Sequence, residues 1–245
     1  MRRMRSKIRR GGRRVPVIAM DGPAGAGKST VARDVARRLG LPCIDSGAMY
    51  RSIAWRALQN GLNLHDTSAI TRLARATRIE FRPSPSGARH GGQAARVIVN
   101  GRDVGRKIRT IAVTRATMIA AAMPAVRRLL LQRQRALGRR GVVMEGRDIG
   151  THVFPSAGLK IYLSASGAER TRRRYEELRA AGVRVRRADL MADIRRRDRK
   201  DRTRATNPLR RAKDAVRIFS TSAPASIVVD KIVALARRRG LTAGR

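Results

Sequence analysis

Apolar residues fall along this chain in short blocks that switch between two periods. Val15-Pro16-Val17-Ile18-Ala19-Met20 is an unbroken apolar run, the pattern of a strand buried on both faces in a parallel sheet. After a Gly-rich stretch the period becomes helical. From about Lys28, Val31, Val35 and Leu39 share one face, and Gly40 follows as a stop. Leu41 to Asp45 predicts the next strand. Strand, Gly turn, helix and strand in succession open a doubly wound α/β fold.

The middle departs from that rhythm. Ile79–Arg82 and Val97–Val99 are short β-like runs, and Asn100-Gly101 after the second is a hairpin signal. Between them PSPSGARHGGQ reads as a loop. The stretch from about Ile79 to Arg109 is therefore expected to be a small β-rich insert outside the parallel sheet. A helical region follows from Ile111 to Leu137, kinked or divided at Pro124. Val142–Met144 and Leu159–Leu163 return to the strand pattern. Ser166 with Glu169 three residues later predicts a capping box on a helix ending near Gly182. Arg184 to Arg204 is almost entirely charged and predicts a solvated surface helix; Val216–Ile218 and Ile227–Arg239 predict a last strand and a closing helix.

Composition bounds the function. At 245 residues the chain fits one α/β domain with small inserts. No apolar run is long enough to span a membrane. One cysteine, Cys43, excludes an intramolecular disulfide and fits a reducing, cytoplasmic setting. His65, His90 and His152 stand far apart, which argues against a zinc site. Charge is the oddity: Lys+Arg total 57 against 17 acids, for a net +40. Such a surface attracts polyanions nonspecifically, so weak RNA binding is expected. Two readings compete, a nucleic-acid-binding protein and an arginine-biased composition laid over an ordinary enzyme. Beyond residue 14 the arginines are spread almost evenly rather than gathered in a patch, which favours the second. Aromatics at 3% also leave little for stacking on single-stranded bases. Residues 1–14, with eight basic residues and no acid, are expected to form a disordered arm.

The Gly-rich stretch carries chemistry. Gly22-Pro23-Ala24-Gly25-Ala26-Gly27-Lys28-Ser29 matches G-x-x-x-x-G-K-[ST], between a predicted strand and a predicted helix. In such a loop backbone N–H groups aim inward as an anion nest and the helix adds its positive end. Gly22, Pro23, Ala24, Gly25, Ala26, Gly27, Lys28, Ser29 and Thr30 are expected to hold ATP. Lys28 would reach the β- and γ-phosphates and the Ser29 hydroxyl would ligate Mg²⁺.

A second anion site must hold the acceptor. Asp45-Ser46-Gly47-Ala48-Met49-Tyr50-Arg51 follows the second strand, at the sheet edge where ligands bind. Glu145-Gly146-Arg147-Asp148-Ile149-Gly150-Thr151 follows another core strand. Further on come Arg197-Asp198-Arg199-Lys200-Asp201-Arg202-Thr203-Arg204, Asn207-Pro208-Leu209 and Ala212-Lys213-Asp214-Ala215. Together with the phosphate loop these segments closely resemble the bacterial cytidylate kinases, from about Val15 to the last helix. The resemblance implies a P-loop nucleoside monophosphate kinase, a monomer that moves the γ-phosphoryl group of ATP to CMP or dCMP with Mg²⁺, in pyrimidine nucleotide metabolism. It implies that residues 47–110 form the monophosphate-binding insert and 184–206 a lid, with core segments 15–46, 111–183 and 207–245. Arg51, Arg147 and Arg204 would hold the acceptor phosphate, Ser46, Arg197 and Asp201 the ribose, and Arg127 and Asp148 the cytosine. Lys28, Arg147, Arg197 and Arg204 would be catalytic. Another acceptor on the same scaffold is the alternative.

Three positions depart from the resembled pattern. Met118 stands where a small polar residue, often Ser, is usual near the base, and a thioether donates no hydrogen bond. Phe219 replaces an Asp common after the last strand. Glu145 stands where some relatives carry Asp, and is read as a partner for Mg²⁺-bound water.

Overall fold

The computed structural model describes residues 15–82, 95–180 and 182–243. The basic arm and the loop 83–93 lie outside the described residues. Five strands, β1 (Val17–Asp21), β2 (Cys43–Asp45), β6 (Val142–Gly146), β7 (Leu159–Ser164) and β8 (Val216–Phe219), form one parallel sheet in the order β2-β6-β1-β7-β8. This is the expected doubly wound α/β architecture. Every residue of β1 and β6 is buried, because helices cover both faces. Ile18, Met20 and Val143 face α1 (Lys28–Leu39) and α8 (Ala225–Arg238), while Ala19, Val142 and Met144 face Ile149 and Val153. The buried stripe of α1, Val31, Val35 and Leu39, stabilises by about 1.5–3 kcal/mol per side chain.

A second group of elements leaves the sheet after β2. Helices α2 (Ser46–Gln59) and α3 (Thr67–Ala76) pack with α5 (Pro124–Leu137) around Met49, Ile53, Ile70 and Leu130. Strands β3 (Ile79–Arg82), β4 (Arg96–Val99) and β5 (Arg102–Asp103) make a small antiparallel sheet, as the insert reading expected, and the β4–β5 turn is Asn100-Gly101. The helical region is indeed divided: α4 (Ile111–Ala120) ends before Pro124, which starts α5 where its missing N–H costs nothing.

The capping box forms only in half. On α6 (Gly167–Ala180) the Ser166 hydroxyl accepts from Glu169 N at 3.2 Å. The Glu169 carboxylate does not reach back, because Arg172 and Arg173 claim it, and Ser166 N donates instead to Thr221 Oγ1 at 3.0 Å. The charged stretch forms α7 (Arg187–Thr203). Among the described residues no helix is long and apolar enough to cross a membrane.

Candidate active site

The phosphate loop leaves β1 at Asp21 and enters α1 at Lys28. Gly27, the residue before the helix, has φ 85°, a left-handed conformation that favours glycine, and no side chain caps the helix N-terminus. The first backbone N–H groups of α1 are thus left to a ligand. Gly22 answers a different need: a Cβ there would lie 1.9 Å from the Leu163 carbonyl oxygen. Lys28 is buried and its ammonium donates to the Pro23 carbonyl at 2.7 Å, folded across its own loop. Burial, with the Arg147 charge nearby, pushes its pKa down to about 7.

One strand over, β6 ends in Glu145 and Gly146. Ser29 Oγ donates to Glu145 Oε1, so the first turn of α1 is tied to this strand end. Burial, then Asp45, raises the Glu145 pKa. The segment beyond is pinned by a residue the sequence did not flag. Asp21, fully enclosed at the end of β1, accepts from Ile149 N at 2.8 Å and Gly150 N at 2.7 Å. Desolvation still dominates and pushes its pKa up to about 6. Ser46 Oγ donates to the Glu145 carbonyl at 2.7 Å, and Asp45 caps α2 by accepting from Ala48 N at 3.1 Å. The other Asp45 oxygen takes the Arg51 guanidinium.

From here a chain of alternating charge crosses the site. Arg147 Nε donates to Asp201 Oδ2 at 2.9 Å. Arg204 lies 3.5 Å from both Asp201 and Asp148, and donates to the Asn207 carbonyl at 2.8 Å. Arg127, 3% exposed, donates to Asp148 Oδ2 at 2.5 Å and lies over the Tyr50 ring. Burial works to raise the Asp201 pKa, but Arg147 and Arg197 outweigh it and the value falls. Arg197 makes no ion pair among the described residues, and burial together with Arg147 lowers its pKa to about 10.

The charged side chains described here, Asp21 apart, line one cavity of about 1050 Å³. It brings together Ala24, Gly25, Gly27, Lys28, Ser29 and Thr30 with Ser46, Arg51, Arg127, Arg147, Asp148, Arg197, Asp201 and Arg204. Three expected residues do not line it. Gly22 and Pro23 serve as backbone, against Leu163 and under Lys28, and Ala26 is fully buried, its carbonyl accepting from Ser220 Oγ. Met118 lines the cavity; Phe219 does not, lying 58% exposed with Arg217 stacked 4.1 Å from its ring centre. Sequence reading also missed Arg173 and Arg174, which line the cavity, and Asp21, which lies behind it. A carboxylate ending an apolar strand was the available signal for Asp21; in a chain this rich in arginine nothing marked Arg173 and Arg174.

A parallel α/β sheet with a phosphate loop at its carboxyl edge, facing arginines from four other segments across one cleft, defines a P-loop kinase. The cytidylate kinase family profile matches residues 18–238. The chain is 48% identical over 231 residues to the bifunctional pantoate ligase/cytidylate kinase of Synechococcus elongatus, covering 94% of this chain and 43% of that one. It spans less than half the length of the first curated relatives it matches. It is also 50% identical over 223 residues to the cytidylate kinase of Geobacillus kaustophilus, covering 91% of this chain and 96% of that protein. Among solved structures, shikimate kinase from Acinetobacter baumannii superposes with a TM-score of 0.44 at 16% identity, over 94% of this chain and 97% of that one. The chain belongs to the cytidylate kinase family.

Proposed function

We propose that this chain transfers the γ-phosphoryl group of ATP to CMP, and also to dCMP, yielding the diphosphate and ADP. One observation carries the reading: Lys28 and the acceptor arginines Arg51, Arg147 and Arg204 line a single cavity. The loop N–H groups and Lys28 hold the donor phosphates. Arg51, Arg147 and Arg204 hold the acceptor phosphate, whose oxygen is already anionic, so no general base is needed. Ser46, Arg197 and Asp201 take the ribose. Arg127 and Asp148 face the cytosine, where a carboxylate accepts from the N4 amino group and opposes the O4 of uracil. Catalysis is positioning and charge stabilisation between the loop and the guanidinium groups of Arg147, Arg197 and Arg204, with α7 as a lid that excludes water.

Among the described residues no three His, Cys, Asp or Glu side chains cluster as a metal cage. The touching pair Ser29 and Glu145 does fit Mg²⁺, which keeps most of its waters and takes one or two protein oxygens. Ser29 would ligate the ion and Glu145 its water; when bound, Mg²⁺ neutralises charge on the phosphates. One copy supplies every residue named, which supports a monomer, and the proposed place of the reaction is pyrimidine nucleotide metabolism in the cytoplasm. Turnover of CMP, dCMP, UMP, AMP and shikimate at fixed ATP tests it, with Lys28→Ala in parallel to expose contaminating kinase. CMP should lead; parity with UMP would overturn the role of Asp148, and a preference for another acceptor would overturn the reading.

A second reading, RNA binding beside catalysis, rests on the outer face of α7. Arg195, Arg199, Lys200 and Arg202 are exposed there, while Asp198 and Asp201 turn inward to Arg170 and Arg147. We expect loose RNA retention that collapses with added salt. Retention that survives high salt would overturn the nonspecific reading.

A further inference from the structure

Arg170 and Asp198 have no part in the substrate contacts proposed above, yet both are buried beside the phosphate loop. Arg170, on α6, is 8% exposed, and Asp198, on α7, is 6% exposed. One guanidinium nitrogen, Nη1, donates both to the Ala24 carbonyl of the phosphate loop at 3.1 Å and to Asp198 Oδ2 at 2.5 Å. Nε donates to the Ala165 carbonyl at 3.2 Å, which fixes the plane of the group. The loop also lies directly on this residue: a Cβ on Gly25 would meet Arg170 Cβ and its carbonyl oxygen at 3.1 Å. On the other partner, Asp198 Oδ1 is buried with no hydrogen bond among the described residues.

We propose that Arg170 and Asp198 form a positioning clasp that ties the lid helix α7 to the phosphate loop. The proposal rests on the reading of α7 as a lid. Arg197 and Asp201, two of the cavity-lining residues of α7, flank Asp198 at one and three positions along the helix, so the clasp sets where they stand relative to Lys28. A buried ion pair with one carboxylate oxygen unmatched is weak support for stability, since apolar side chains of similar volume do as well. Its geometric consequence is the stronger one: loop and lid share a single donor atom and move as one. Arg172 of the same helix α6 is exposed and donates only to Glu169 and Glu176 within its own helix among the described residues, and offers an internal control.

The test is hydrogen exchange with and without a non-hydrolysable ATP analogue, on wild type, Arg170→Lys, Asp198→Asn and Arg172→Ala. In wild type the analogue should slow exchange in both residues 22–29 and α7. In Arg170→Lys and Asp198→Asn the loop should still be protected while α7 loses its protection; Arg172→Ala should behave as wild type. An ammonium cannot reproduce the planar fork, so the lysine is a real loss. A lid no longer held lets water in, and ATP hydrolysis without CMP should rise about tenfold relative to phosphoryl transfer in both clasp variants. Should Arg170→Lys fail to fold, Asp198→Asn, which keeps shape and volume, carries the test. Unchanged protection of α7 in Asp198→Asn, with an unchanged ratio of hydrolysis to transfer, would overturn the clasp. Failure of wild type to phosphorylate CMP would overturn the substrate assignment instead, and the exchange measurement would still read the clasp.

Discussion

The two halves of the cleft are built from different materials. The donor half is backbone: one loop, a helix end without a side-chain cap, and one lysine held by its own loop's carbonyl. The acceptor half is side chains: arginines from α2, α5, the β6 end and the α7 end, paired with Asp45, Asp148 and Asp201. A backbone cradle needs no neutralising partner, because partial charges on N–H groups cost little to bury when hydrogen-bonded. Guanidinium groups crowded into one cavity are disfavoured: burial first, then the neighbouring charges of Arg147 and Arg127, depresses the pKa values of Arg197 and Arg204. Interleaved carboxylates make that crowding tolerable.

The contrast can be pressed experimentally. Lys28→Ala removes the one charged side chain of the phosphate loop itself, and kcat should fall by about 10³ while CMP affinity holds, in steady-state kinetics. Arg147→Met removes one member of a redundant set, so kcat should fall less, by about 10², with a raised KM for CMP. Equal losses from the two would erase the distinction between the halves. Asp148→Asn keeps volume but exchanges an acceptor for an ambiguous amide, and the preference for CMP over UMP should shrink by about tenfold. The smallest effect is a titration. Lys28 is depressed in the folded protein to about 7 from 10.5, so its contribution to stability is present above the ordinary lysine pKa and is lost as pH falls toward 7. Phosphates restore the charge, so ATP binding near pH 8 should take up protons and weaken as pH rises. Calorimetry in buffers of different ionisation enthalpy reads that uptake directly; none at pH 8 would show that Lys28 is already charged.

The same contrast governed what could be read in advance. The donor half lies within eight contiguous residues, so pattern alone gave the loop, its strand and its helix. The acceptor half draws on residues separated by more than a hundred positions, and became legible only through several motifs in a shared order. Between Arg51 and Ile79 the pattern predicts no element, though α2 runs on to Gln59 and α3 follows; Asp45 and Asp66 cap them, but with arginines scattered through both the apolar face is hard to see. Ser166 and Glu169 have the spacing of a mutual cap, but Arg172 and Arg173, three and four residues on, share the helix face of Glu169 and take its carboxylate. Asp21 could not be weighed because its partners are backbone N–H groups 128 and 129 residues away.

That grip has a further consequence for assembly. Strands β1 and β6 are buried on both faces, so no alternation of apolar and polar positions opposes a slip of one against the other. A slide of one residue would move Arg147 by about 3.3 Å and swing it to the other side of the sheet. By seizing the amides just past β6, a single carboxylate acts as the alignment pin that the hydrophobic code does not provide.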